Sequence, residues 1–426
     1  MLVRVVDFTG VHLCASFLHY VAAFNTLLRT RGGDAHMPGR RSASNSVDEL
    51  AGYENVNNTL CAGEIVVSGK SFEVVLDTGS HDFWLANSSG LANYTNTSVS
   101  ATLDYFLDTG VVWSVSGFAL IADTQFANFT VQNQAFLADV TNASAFLSGI
   151  NGNGGLLGLA PPNASGAISS ALQKANMTFS NDSSVLENVR ASAHVEARIE
   201  AYTVAYIFAQ NPDVEPQFTM LMSRNDGEHT TSGGTFTLGN PLSKYANITD
   251  QPILPIMNTT TGRQHWTVMI DSIILNNACF THKGVAYPVN PLDVVTPIGW
   301  HKDGTVVCHG AFVTLGEPDP SGPTVVLGQT FLRNAYALYN LNPTGNSNKN
   351  TTLPFVQLLS VTDAKEAAAN YTAQNNARLE AFATAHGIKY VAQLSAQESQ
   401  RAQIRGCILL VGITTFVHLI GLQWAF

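Results

Sequence analysis

The chain predicts a mostly-β body of more than one structural unit, followed by a helical extension. Three observations carry that reading. Hydrophobic residues make up 45% of the 426-residue chain and charged residues only 12%, which excludes global disorder and leaves material for a sizeable core. Between about residues 55 and 361 the chain runs as short β-rich segments broken by Gly, Asn, Ser and Pro, the pattern of strands joined by turns. After residue 362 the composition shifts to Ala, Gln, Glu and Arg, with Asp363 and Glu366 placed as at a helix start.

Taken in order, residues 1–50 read as a signal and pro-region outside the fold. Val11 to Phe24 is a short apolar stretch with Arg4 ahead of it, and Arg40-Arg41 offers a propeptide cleavage point. The β-rich runs come next, at Glu64 to Val67, Phe72 to Leu76, Phe118 to Ile121, Thr235 to Leu238, Trp266 to Leu275 and Thr324 to Leu327. Residues 362–405 read as an exposed helical stalk. Residues 406–426 read as a membrane or anchor segment: Cys407 to Phe426 carries no charge and is long enough to cross a bilayer as a helix at ~1.5 Å per residue. A removable lipid-anchor signal is the other reading of the same stretch.

The net charge is 21 − 31 = −10, with no block of Lys and Arg, so nucleic acid is excluded as a partner: phosphate neutralisation needs clustered cations. Five cysteines are too few for a disulfide-built scaffold. Thirteen Asn-x-Ser/Thr triplets occur, among them Asn93, Asn96, Asn142, Asn247 and Asn370, where composition alone gives about five or six. The excess points to the secretory pathway, with an extracellular, cell-surface or vacuolar destination; unused acceptor sites in an Asn-rich chain are the alternative. Neither His-Glu-x-x-His nor Cys-x-x-Cys occurs, so no metal or cofactor is implied.

The chemistry sits in Phe72-Glu-Val-Val-Leu-Asp-Thr-Gly-Ser-His-Asp-Phe-Trp84. An apolar strand delivers Asp77 into a Gly turn, and a carboxylate at the end of a buried strand needs N–H and hydroxyl donors, here Gly79 and Ser80, or a second carboxylate that shares its proton. This segment resembles the pepsin-like aspartic proteases (peptidase family A1). Further segments match that family in order: Gly155-Leu-Leu-Gly-Leu-Ala160, Phe218 to Ser223, Gly234 to Gly239, His265 to Ile273, Gly284-Val-Ala-Tyr-Pro288 and Val326 to Arg333.

The resemblance implies an all-β, bilobal pepsin-like fold with a first lobe at 51–225, a shortened second lobe at 226–361 and the C-terminal helical extension. It also implies a monomeric aspartic endopeptidase acting on peptide or protein substrates through a carboxylate-activated water at acidic pH. Asp77 becomes the catalytic carboxylate, Thr78, Gly79 and Ser80 its supporting turn, Tyr105 the flap tyrosine and Trp84 a residue that packs the lobe at the cleft. His81 departs from the usual Ser and reads as an exposed loop histidine. Asp108-Thr109-Gly110 lies too near Asp77 to come from another lobe and reads as a hairpin turn.

The same resemblance demands a second Asp-Thr/Ser-Gly, because water attack needs one ionised and one protonated carboxyl. The chain instead passes from Asn276 through Cys279 directly into Gly284. Asp271, Asp293 and Asp303 are poor substitutes: Ile273 cannot make the Gly turn, Asp293 lies in a Pro-bounded loop, and Asp303-Gly-Thr has the wrong order. Three explanations stand, in this order: a skipped exon, a non-catalytic membrane-attached peptide-binding relative, and two copies that each supply one Asp77. Cys308 matches the family's second-lobe cysteine, and a Cys279–Cys308 bridge would close a loop worth ~3 kcal/mol in the chain-entropy picture; the alternative is two thiols.

Overall fold

The computed structural model describes residues 2–5, 48–49, 53–56, 60–106, 112–127, 129–143, 147, 154–161, 166–175, 214–224, 230–257, 265–274, 279–300, 306–311, 325–341 and 354–388. The first lobe is built on the hairpin Leu60–Val67 and Lys70–Asp77. Its two loop residues, Ser68 and Gly69, both have positive φ (47° and 80°), the geometry whose twist matches that of the flanking strands. Alternating burial along Leu60–Val67 puts Cys61, Ile65 and Val67 in the core. The Gly155–Gly158 strand, buried at all four positions, then slots in parallel to Lys70–Asp77 and antiparallel to Phe83–Leu85. Two long strands, Thr95–Phe106 and Val112–Phe126, form a hairpin that pairs onward with Phe129–Ala138 and closes back on Leu60–Val67.

The second lobe is organised on a six-stranded sheet in the order Leu254–Pro255, Phe355–Ser360, Ala335–Asn340, Gln217–Met222, Gly234–Leu238, Asp48–Glu49. Ala335–Asn340 is buried throughout. Smaller sheets join Ser272–Ile274, Cys279–His282 and Val285–Pro288, and pair Val295–Trp300 with Val306–Gly310. A third joins Thr267–Ile270, Leu2–Val5 and Val325–Val326, with Leu2–Val5 in the middle. Residues 1–50 were expected outside the folded body; Leu2–Val5 and Asp48–Glu49 pair with it, while Val11 to Phe24 and Arg40-Arg41 lie outside the described residues.

An aromatic cluster joins the lobes. Phe218 stacks on Tyr339 at 4.6 Å and meets Trp266 edge-on at 5.9 Å, while Phe236 touches Tyr53, Phe126 and Phe218. The buried Trp266 Nε1 donates to the Leu159 carbonyl at 2.8 Å, tying the second lobe to the chain just past Gly158.

The extension starts where the sequence places it: Asp363 caps the helix Ala364–Ala385 by accepting from the Lys365 and Glu366 amides at 2.8 and 2.9 Å. It is not an exposed stalk over this span. Ala367, Asn375, Arg378, Leu379 and Ala383 are buried, and the helix lies against the short helix Pro291–Val294. Arg378 Nη1 donates to the Leu292 and Val295 carbonyls at 2.6 and 2.9 Å, and Nη2 to Asn375 Oδ1 at 2.6 Å. Cys407 to Phe426 lies outside the described residues, and among those described no helix is long and apolar enough to cross a membrane.

Beneath that helix sits Asp293, 2% exposed. It accepts from Arg224 Nε and Nη2 at 2.9 and 2.6 Å, from Arg333 Nε at 2.9 Å and from Asn334 Nδ2 at 2.8 Å. Burial pushes its carboxyl pKa up, but the Arg224 bond and charge, with Arg333 and Asn334, outweigh burial and hold it below the ordinary carboxylate range. A lowered folded-state pKa gives stability that is present above the unfolded value and is lost as pH falls through the folded one. Urea unfolding is expected to show Asp293→Asn costing about 3–5 kcal/mol at pH 7, since the buried Arg333 and the partly buried Arg224 lose their counter-charge. The deficit shrinks as pH falls below about 4.

Candidate active site

Asp77 ends its strand in a turn fixed from three sides. Its Oδ1 accepts the Gly79 amide at 2.8 Å, so the carboxylate folds back over its own turn. Its carbonyl accepts the Leu159 amide at 2.7 Å, and the next two loop carbonyls used, Ser80 and Asp82, accept from Ala160 at 2.9 Å and Gly158 at 3.1 Å. Gly158 is a glycine because of this approach: a Cβ there would lie 2.4 Å from the His81 carbonyl carbon and 2.7 Å from the Ser80 oxygen. The carboxylate itself remains half-buried.

Tyr105 and Trp84 are in contact. Trp84, 0% exposed, donates from Nε1 to the Tyr105 hydroxyl at 2.8 Å. Tyr105 stands near the tip of the Thr95–Phe106 strand, opposite Trp113. Burial raises the Tyr105 pKa and the negative charge of Asp77 raises it further, so the phenol keeps its proton and faces the carboxylate. Ser80, expected to support Asp77, buries its hydroxyl beside Tyr105 instead. The Asp77 turn thus lies near Tyr105 and borders the lobe junction, since Leu159, whose amide bonds the Asp77 carbonyl, accepts from Trp266.

Two expectations are corrected. His81 is buried, 7% exposed, because its backbone lies over Gly158 and turns the side chain inward. Cys279 and Cys308 remain thiols: Cys279 Sγ faces the Phe280 carbonyl at 3.7 Å, and Cys308 lies within electrostatic reach of Arg378. Sequence reasoning missed Asp82. Its carboxylate accepts the Ala167 and Ile168 amides at 2.9 and 3.3 Å and so closes the amino end of the helix Ala167–Lys174, whose own N-cap, Gly166, has no side chain to do it. The cue was an acidic residue five positions after Asp77, but its partner lies 85 residues on.

No described carboxylate takes the twin's place. Asp293 is committed to Arg224 and Arg333, and Asp82 to the helix end. Asp271 is on an outer hairpin, where Oδ1 is 3.5 Å from His282 Nδ1 and Oδ2 accepts the Lys283 amide. Asp108 and Asp303 lie outside the described residues. The second lobe repeats the under-strand of the first, since Val325-Val-Leu-Gly328 parallels Gly155-Leu-Leu-Gly158 in pattern. Yet a Cβ on Gly328 would meet no atom of the described residues within 4 Å, and Val326 is 44% exposed where Leu156 is 3% exposed. The second catalytic loop and its covering layer are missing from the described second lobe.

Residues 219–347 match the family model of eukaryotic aspartyl proteases. The structure is similar to the aspartic proteinase from Irpex lacteus, with a TM-score of 0.50 and 14% sequence identity over 76% of this chain and 99% of that one. No curated protein matches the chain. The fold is thus the pepsin-like bilobal all-β fold of the aspartic proteinases, and the match over the second lobe supports the same assignment.

The contrast between the two under-strand glycines gives a paired test. Gly158→Ala must displace the Asp77 turn and is expected to cost about 2–3 kcal/mol or more, as overpacking against backbone does. Gly328→Ala should fall within about 0.5 kcal/mol of the parent. Chemical denaturation of the two variants measures both; equal costs would mean that a second loop covers Gly328.

Proposed function

We propose that the chain holds an extended peptide beneath the Tyr105 hairpin, against Asp77, and as a single chain does not hydrolyse it. The carrying observation is the open space among the described residues at Gly328, where the peptidase lineage requires the loop bearing the second carboxylate. In this chemistry one carboxylate takes a proton from water while the other, protonated, polarises the scissile carbonyl. Asp77 can do the first. No described residue does the second, so the tetrahedral oxygen lacks its proton donor and the barrier stays high.

Support for retained binding comes from the first lobe, where turn, flap and the Trp84 to Tyr105 bond are intact. The second reading, an active acid endopeptidase, rests on the same intact lobe and on a carboxylate supplied from outside the described residues or by a second copy. Secretory location and attachment through Cys407 to Phe426 belong to the proposal. In its support, the acceptor asparagines Asn93, Asn96, Asn142, Asn247 and Asn370 are exposed.

Purified protein at pH 3–5 with a denatured protein substrate separates the readings. Under the proposal, parent and Asp77→Asn give the same background hydrolysis, while a hydrophobic extended peptide binds the parent and is weakened about tenfold by Tyr105→Ala, which removes the flap contact. Turnover abolished by Asp77→Asn would establish the endopeptidase instead. A mobility shift on endoglycosidase treatment of protein from a secreting host checks the glycan claim.

A further inference from the structure

In the first lobe, Lys70–Asp77 lies between Leu60–Val67, antiparallel, and Gly155–Gly158, parallel. That three-strand unit is what delivers Asp77. In the second lobe, Thr267–Ile270 and Val325–Val326 are the outer members of the matching unit, and the strand that belongs between them lies in the segment the sequence lacks. The place is filled. Leu2–Val5 runs there in register Leu2↔Thr267 to Val5↔Ile270 on one side, and Leu2↔Val326, Val3↔Val325 on the other.

Its direction is reversed relative to both neighbours: parallel to Thr267–Ile270 and antiparallel to Val325–Val326, where the first lobe has the opposite. Along Leu2–Val5 the chain therefore moves away from Gly328, so this strand fills the gap without delivering a carboxylate at its end, as Lys70–Asp77 does opposite Gly158.

From this juxtaposition we infer that the second lobe contains a strand-binding site, bounded by Thr267–Ile270 and Val325–Val326, whose ligand is an extended main-chain segment and whose occupant in the uncleaved chain is its own Leu2–Val5. The physical driver is the double row of backbone N–H and C=O groups that two separated strands present, which a central strand satisfies on both edges. Because each edge needs only main-chain atoms, a detached copy of the segment can take the place of the tethered one. The site lies on the second-lobe side of the junction that the Asp77 turn borders, and it makes no demand on whether Asp77 is catalytic.

Hydrogen exchange with mass spectrometry on the full chain tests it. Val3→Pro removes one donor from the central strand. Exchange at 267–270 and 325–326 should then quicken by about tenfold or more, while 74–77 and 155–158 keep the parent rate. A synthetic peptide of residues 1–10 added in excess should restore protection at 267–270 and 325–326. Unchanged exchange there in Val3→Pro overturns the proposal, as does loss that the peptide leaves unrestored. A second variant guards against misfolding of the first: Val3→Cys/Val325→Cys places two thiols at directly opposed register positions, where Cα separations of about 4.5–5.5 Å allow a disulfide. Mild oxidation should join these two positions, as read by mapped linked peptides, and absence of that link overturns the placement.

Discussion

The site depends on one backbone-to-backbone contact. Gly158 lies under the Asp77 turn so closely that no side chain fits, and three amides from the same stretch, on Gly158, Leu159 and Ala160, donate upward into the turn. Main-chain groups fix position better than side chains because they carry no rotamer freedom of their own. The carboxylate then needs little else: one amide from Gly79, and a protonated phenol that Trp84 holds in place from inside the core. Strand and under-strand are neighbours in the nine-stranded sheet, and the long hairpin belongs to the same sheet, joined to them through Leu60–Val67 and Phe129–Ala138.

In the second lobe that contact is gone while its support stays. Val325-Val-Leu-Gly328 keeps the pattern of an under-strand, and Leu327 remains 3% exposed, so the core-facing half of the strand is intact. The half that should carry a loop is not: Gly328 faces open space among the described residues and Val326 lies half out of the fold. The lobe nevertheless keeps its six-stranded sheet, because that sheet is stabilised by Ala335–Asn340 and the aromatic junction rather than by the loop. The sheet thus does not depend on the region at Gly328, which explains how the family model can match 219–347 although that range holds no Asp-Thr/Ser-Gly.

What the sequence made legible was local. The Asp77 turn, the under-strand and the Asp363 cap are each written within a few residues, and their backbone geometry comes directly from those residues. Tyr105 was singled out through the resemblance, and its hydrogen bond with Trp84, across 21 residues, was not readable. What escaped depends on contacts across the chain. Asp82 reads as a loop acid until the amino end of Ala167–Lys174 arrives beside it. Arg378 makes the extension look solvent-facing, since a guanidinium is seldom buried, yet two orphan carbonyls, those of Leu292 and Val295, lie where it can reach them. Leu2–Val5 has four residues, too few to announce a partner, and its neighbours lie at 267–270 and 325–326.

The Asp293 cluster ties the second-lobe sheet to the Pro291–Val294 turn through charge. A carboxylate buried among apolar residues alone would protonate early and release its partners; Asp293 instead sits between two guanidiniums and an amide, so the ionised form is the one its surroundings satisfy. Arg224 comes just after Gln217–Met222, and Arg333 and Asn334 precede Ala335–Asn340, so the cluster clamps two adjacent central strands of the six-stranded sheet to the Pro291–Val294 turn. The docked helix covers the same turn through Arg378. The second lobe thereby keeps a charged anchor of its own, whose contribution is lost as pH falls through the lowered Asp293 pKa.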